Sequence, residues 1–218
     1  MADVRARIDA AVARGGHRQH VTIVAVTKTH GPEAATAAYE SGLHDVGENK
    51  VQEAVQKMTA VNVPVRWHLI GHLQRNKVKA LDQFVLLHSL DSARLADAVC
   101  AFGLARGRAV DALLELNLSG EGSKGGYKAS ELLPEAERLV ALSGVRIRGV
   151  MTMASFTATE SQLHRTFAEA REARAALAGV GHPAEELSMG MSNDYEIAVE
   201  EGATMVRLGT TLFGARAK

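Results

Sequence analysis

A single cysteine, Cys100, in a chain of 218 residues leaves no partner for an internal disulfide and suits a reducing compartment. It falls on what reads as a helix face, where a thiol is expected to pack as a small hydrophobe. Proline is nearly as sparse, with 4 in the chain, and no stretch rich in Pro, Gly or Ser divides the sequence. Long apolar runs are missing as well. The strongest, residues 21–26, falls far short of the roughly 20 residues needed to span a bilayer. The opening Met1-Ala2-Asp3-Val4-Arg5 lacks the apolar stretch of a signal peptide. Excess charge of one sign is also absent, because 25 Lys and Arg balance 25 Asp and Glu. Nucleic-acid binders cluster a basic excess on one face, and this composition offers none. A membrane span, a secreted disulfide scaffold and a nucleic-acid module are therefore not expected. What remains is a cytoplasmic protein with one domain, residues 1–218.

With 46% hydrophobic and 23% charged residues the composition is that of a globular protein able to bury a sizeable core. Short β-rich runs alternate with helical stretches along its length. Strands are predicted at 21–26, 44–47, 67–70, 84–89, 112–117, 145–150, 186–188 and 205–208. The first of these is nearly all apolar, as a strand buried on both faces requires. One helix begins at Pro32 and stops near Gly42. Another follows Asp91, which is placed to cap it, with Leu95, Val99 and Phe102 on one face and Gly107 at its end. Further helices are predicted at 134–142, through Leu163, Phe167, Ala170 and Leu177, and at 193–201. Such alternation implies parallel strands joined by helical crossovers. About eight units allow the sheet to close into a (β/α)8 TIM barrel, near the lower end of its size range. An open doubly wound sheet is the alternative.

In a barrel of this kind, function sits at the C-terminal ends of the strands. Lys28 lies there, in Val26-Thr27-Lys28-Thr29 after the first strand. Partial desolvation would favour its neutral, nucleophilic amine, which forms Schiff bases with carbonyl compounds. A lysine that merely extends to solvent is the plain reading of the same position. The second signal is at the other end of the chain, in Met189-Gly190-Met191-Ser192-Asn193-Asp194 and Arg207-Leu208-Gly209-Thr210-Thr211. Loops after the seventh and eighth strands often bind phosphate, with glycine for close approach and hydroxyls as donors. The plain reading makes Ser192 an N-cap and Gly209 a turn residue. An aldehyde-reactive lysine and a phosphate site on one rim suit pyridoxal 5′-phosphate, and equally a phosphorylated sugar in a Schiff-base aldolase.

The sequence resembles the pyridoxal phosphate homeostasis proteins along nearly its whole length. The resemblance rests on Ala25-Val26-Thr27-Lys28-Thr29, Gly47-Glu48-Asn49 with Val51-Gln52-Glu53, and Trp67-His68-Leu69-Ile70-Gly71-His72-Leu73-Gln74-Arg75-Asn76-Lys77. It continues through Asn117-Leu118-Ser119, the 121–126 loop, Leu187-Ser188-Met189-Gly190-Met191-Ser192 and Val206-Arg207-Leu208-Gly209-Thr210. It implies a barrel like the N-terminal domain of alanine racemase. Lys28 matches the family's Schiff-base lysine. Ser192, Gly209 and Thr210 match its phosphate-binding positions, Asn49 a pocket-lining asparagine, and Arg207 the arginine that faces the pyridine nitrogen. Lys50 and Thr27 depart from the usual residues, which affects the fine shape of the pocket.

An arginine cannot readily give up its proton. If Arg207 donates to the pyridine nitrogen, that nitrogen stays unprotonated and the cofactor is a weak electron sink. The resemblance further implies that a racemase draws its second acid/base group from a β domain following the barrel, and this chain ends at Lys218. The expected function is a carrier or buffer of pyridoxal phosphate with no catalytic residues, monomeric, serving apo forms of enzymes that use the cofactor. An amino-acid racemase is the enzymatic alternative. His68 and His72 straddle Gly71 without the glutamate of a zinc-protease helix, so metal binding is not expected, and His68 is instead a candidate pocket residue. The 120–126 loop lacks the order of a P-loop, and Lys124 reads as solvated. Arg165, Arg171 and Arg174 with Glu169 and Glu172 suggest intrahelical pairs on a solvated face.

Overall fold

The computed structural model describes residues 1–118 and 125–214. Within them run β1 (Thr22–Val26), β2 (Asp45–Glu48), β3 (Arg66–Leu69), β4 (Leu86–Leu90), β5 (Val110–Leu116), β6 (Val145–Thr152), β7 (Glu186–Met191) and β8 (Met205–Leu208). Each pairs in parallel with the next, and β8 returns to β1 with Thr22 opposite Met205 and Ala25 opposite Leu208. That last pairing closes the (β/α)8 barrel and removes the open sheet as an alternative. The connecting helices are α1 (Ala2–Gly15), α2 (Glu33–Glu40), α3 (Val51–Ala60), α4 (Ala93–Ala105), α5 (Leu132–Val140), α6 (Glu160–Val180), α7 (Tyr195–Glu200) and α8 (Thr210–Phe213). None is long and apolar enough to cross a membrane.

Strand alternation sorts the side chains into two cores. Ile23 and Ala25 of β1 join the main core beneath the helices, whereas Val24 joins a smaller cluster with Leu86, Leu113, Met151 and Met205 inside the barrel. The main core takes the predicted apolar faces of the helices: Leu95, Val99 and Cys100 from α4, and Phe167, Ala170 and Leu177 from α6. Cys100 is a free, buried thiol, as its helix position implied.

Several local readings change. Between β3 and β4 the chain forms a 3₁₀ segment, Arg75–Gln83. The cap position of α4 is Ser92, not Asp91. Asp91 instead accepts from the Ser92 hydroxyl and meets His72 Nδ1 at 2.7 Å. The α6 arginines do not make the expected intrahelical pairs. Arg171 donates to the backbone and carboxylate of Glu201, and Arg174 to the backbone of Glu185, so they tie α6 to its neighbours. α1, unread in the sequence, is held to α7 by Arg7–Glu196 and Arg14–Glu200. Ser119 and the 120–124 segment, including Lys124, lie outside the described residues.

One packing contact tolerates no side chain. A Cβ on Gly103 of α4 would lie 1.9 Å from the Gly144 carbonyl oxygen, and one on Gly144 2.0 Å from that of Cys100. Backbone must move to admit even a methyl group there. Gly103→Ala, although it improves helix propensity, is expected to destabilise the fold by roughly 1–3 kcal/mol, read as a lowered urea midpoint.

Candidate functional site

The end of β1 is set by a buried ion cluster. Glu48, the last residue of β2, turns outward from the barrel, and Lys57 of α3 reaches it at 2.6 Å. The Lys57 ammonium also donates to the Thr27 carbonyl at 2.7 Å and to Glu53 at 2.8 Å. Thr27 Oγ1 donates to Glu48 at 2.5 Å, and the Thr29 N–H donates to Glu53 at 2.6 Å. Thr29 sits at φ 69°, the left-handed region that a β-branched residue rarely occupies. Lys28 is thus flanked by two residues, each anchored to the same cluster. Burial raises the Glu48 carboxyl against the opposing pull of Lys57 and Thr27. Burial also acts on Glu53, but hydrogen bonds from Lys57 and the Thr29 N–H bring it down.

Above this cluster, at the C-terminal rim, opens a cavity of about 1100 Å³. Lys28, Asn49, Ser192, Arg207, Gly209 and Thr210 all line it. The six residues picked from the sequence, which span most of the chain, therefore face one space. The Ser192 hydroxyl is not a helix cap. It accepts from the Thr211 N–H at 3.2 Å and so joins the β7 and β8 loops. Gly209 has no steric need to be glycine on the protein side, since an added Cβ would come no closer than 3.5 Å to Val26. Its bare face leaves room in the cavity instead. The Asn49 backbone packs closely on Gly71, where a Cβ would lie 2.3 Å from the Asn49 carbonyl oxygen. Lys50 is exposed and starts α3.

Arg207 points from β8 into the barrel and is 5% exposed. Its guanidinium donates to the Ser188 carbonyl at 2.8 Å, to Ser188 Oγ at 2.6 Å and to the Thr152 carbonyl at 2.9 Å. Burial brings its pKa down to about 10, with Asp194 and Glu115 acting in the other direction. It therefore stays charged at neutral pH.

His68 does not line the cavity. It lies below, inside the barrel, 2.9 Å from both Asp45 and His88. His72 is the histidine of that segment that reaches the cavity, beside Asp91 and Glu115. The two histidines follow the two sides of Gly71 into different environments. Among the described residues no group of three His, Cys, Asp or Glu side chains is placed to hold a metal ion. Sequence reading missed Glu115, Asp91, His88 and the Glu48–Lys57–Glu53 cluster. The i,i+4 spacing of Glu53 and Lys57 was a usable signal; the approach of Glu48 to Lys57 depends on the turn between them.

Asp45, at the N-terminal end of β2 and away from the cavity, makes the fold sensitive to acid. Burial would raise its carboxyl, but hydrogen bonds from His68 and Arg66 hold it well below the usual carboxylate range. A depressed folded value adds stability above the unfolded pKa, and that stability is lost as pH falls through the folded one. Unfolding free energy is expected to drop by on the order of 2 kcal/mol from this group as pH falls from about 5 toward 2. Asp45→Asn should flatten that part of a urea-against-pH series.

A closed eight-stranded barrel with a lysine after β1 and an inward arginine on β8 defines the class: the barrel of alanine racemase type. The profile of the family described as alanine racemase, N-terminal domain, matches residues 2–217. A pyridoxal phosphate homeostasis protein of Aquifex aeolicus is 39% identical over 216 residues, covering 96% of this chain and 94% of its own. PipY of Synechococcus elongatus, solved with pyridoxal phosphate bound, superposes with a TM-score of 0.84 at 36% identity, over 95% of this chain and 100% of that one. Alanine racemase of Corynebacterium glutamicum shares the fold at a TM-score of 0.75 but 15% identity, over 97% of this chain and 60% of its own. The chain belongs to the alanine racemase N-terminal domain family and, within it, to the pyridoxal phosphate homeostasis proteins.

Proposed function

We propose that this protein holds pyridoxal 5′-phosphate as a Schiff base on Lys28 and serves as an intracellular carrier of the cofactor rather than as an efficient catalyst. The observation that carries the reading is the convergence of Lys28, Arg207 and the bare face of Gly209 on one cavity. The residues present fit the group. Lys28 supplies an amine at a rim whose backbone is pinned on both sides. Ser192, Thr210 and the open side of Gly209 suit a phosphate, which needs hydroxyl donors and close backbone approach. Asn49 borders the same space. Arg207 offers a charged donor to a ring nitrogen.

When bound, the cofactor contributes an electrophilic carbonyl carbon and an electron-accepting ring. The chain determines how much of that capacity is used. Arg207, charged at neutral pH, would donate a hydrogen bond to the ring nitrogen without transferring a proton, which would leave that nitrogen unprotonated and the ring a poor sink. The name of the Aquifex relative and the ligand in PipY support the same reading. The protein acts as a monomer and hands its cofactor to apo forms of enzymes that require it.

The test is the visible spectrum of purified protein before and after adding pyridoxal phosphate. A yellow band should appear, and borohydride should fix the cofactor onto the peptide containing Lys28. Absence of the band would overturn the reading. Alanine racemisation by the loaded protein should be at least about a thousandfold slower than the 1–10³ s⁻¹ typical of enzymes.

A further inference from the structure

A chain of polar side chains runs through the apolar interior of the barrel, from its N-terminal rim to the cofactor pocket. Arg66 donates to the Asp45 carboxylate through Nε at 2.7 Å and also through Nη2. Asp45 Oδ1 lies 2.9 Å from His68 Nε2, His68 Nδ1 lies 2.9 Å from His88 Nε2, and His88 Nδ1 lies 2.9 Å from Ser188 Oγ. Ser188 Oγ then receives Arg207 Nη1 at 2.6 Å. Five strands contribute, β2, β3, β4, β7 and β8. Asp45, His68, His88, Ser188 and Arg207 are all buried.

The two ends fix the terminal bonds. An ionised carboxylate only accepts and a guanidinium only donates. Asp45 is ionised, so His68 Nε2 carries a hydrogen. The relay sense requires that His68 Nδ1 accept and His88 Nε2 donate across their 2.9 Å contact. His88 is neutral, because burial, the facing His68 and Arg207 all oppose its charge. Its Nδ1 must then accept from the Ser188 hydroxyl, which turns the serine lone pairs toward Arg207. All donors along the path point toward Asp45, and hydrogen bonds aligned in series polarise one another.

We propose that Asp45, His68, His88 and Ser188 are positioning residues that relay the negative charge of the N-terminal rim along this one-way chain to Arg207. The relay holds the guanidinium on Ser188 and tempers its donation into the cavity. The other charges facing Arg207 are Asp194 and Glu115, and neither is hydrogen-bonded to it among the described residues. The effect on a bound cofactor rests on the reading of Arg207 given above; the relay itself does not.

Nitrogen-15 spectroscopy of the cofactor-free protein reads the chain directly and needs no variant. The expected result is hydrogen on Nε2 and none on Nδ1 of both His68 and His88. Hydrogen on Nδ1 of His88 would reverse the chain and overturn the proposal. A second readout is the side-chain nitrogen signals of Arg207. His88→Leu cuts the chain, whereas His88→Gln offers an acceptor and a donor in its place. Ser188→Ala cuts the chain at the pocket end while removing one oxygen. The Leu and Ala variants should move the Arg207 signals, and the Gln variant should restore most of the wild-type positions. Equal displacement in the Leu and Gln variants would show packing damage alone and refute the relay. In protein loaded with pyridoxal phosphate, the same cuts should shift the pH midpoint of the yellow band by about one unit, a tenfold change in the protonation equilibrium, with rescue by Gln. If wild-type protein forms no band, the assignment of Lys28 and Arg207 fails, while the tautomers and the Arg207 signals still decide the relay.

Discussion

Lys28→Ala is expected to abolish the yellow band completely and to leave no borohydride-fixed cofactor anywhere on the protein. The effect should be specific to the covalent link. Lys28 is half-buried at the rim, and its alanine replacement removes neither a core side chain nor a partner of the Glu48–Lys57–Glu53 cluster, which contacts the flanking Thr27 and Thr29. The variant should therefore keep the fold, read as a cooperative urea transition. Ser192, Gly209 and Thr210, the proposed phosphate end, stay in place, so weak non-covalent binding should survive. Equilibrium dialysis is expected to show affinity reduced at least about a hundredfold, or roughly 2.7 kcal/mol. A variant that still fixes the cofactor would place the reactive amine elsewhere. The nearest buried candidate, Lys57, is unsuited to the task because three acceptors already hold its ammonium.

How much of this was legible in the sequence follows from the range of each interaction. The barrel was, because strand alternation and apolar runs are local signals, and β8 (Met205–Leu208) matched its predicted bounds. Lys28, Asn49, Ser192, Arg207, Gly209 and Thr210 were picked out by position at strand ends and by resemblance, and the fold gathers them around one cavity. Side-chain partners were not legible. Asp91 looked like a helix cap because Ser, Thr, Asp and Asn all favour that position, and only the fold reveals that His72 is near enough to take it. Arg171 looked like an intrahelical partner because acidic residues lie close in sequence, yet Glu201, thirty positions away, is the group it meets. His68 alternates inward in step with His88 on the neighbouring strand, and their contact depends on the stagger between β3 and β4.

Lys57→Met is expected to destabilise the fold strongly. The Lys57 side chain is 6% exposed and that of Glu48 is fully buried. Glu48 Oε2 already lacks a hydrogen-bond partner. Removing the ammonium leaves a carboxylate in an apolar setting with only the Thr27 hydroxyl to satisfy it, and such broken buried pairs cost about 3–5 kcal/mol. Much of that cost belongs to the stranded charge rather than to the lost attraction. The double variant Glu48→Gln with Lys57→Met should accordingly recover roughly 1–3 kcal/mol relative to the sum of the single changes. The pH dependence has a definite sign. Burial raises the Glu48 carboxyl in the folded protein, and loss of Lys57 raises it further. A group with a raised folded pKa favours the fold at low pH and loses that contribution as pH rises through the folded value. The deficit of Lys57→Met should be smallest near pH 5 and should grow toward neutrality, by about 1.4 kcal/mol for each pH unit until the folded pKa is passed. Urea unfolding at several pH values measures it. A deficit independent of pH would mean that the variant fails through lost packing of the lysine stem, and that Glu48 finds another partner. The same substitution frees the Thr27 carbonyl and releases the clamp on one side of Lys28. Borohydride fixation of pyridoxal phosphate should therefore slow in Lys57→Met even under conditions where the variant remains folded.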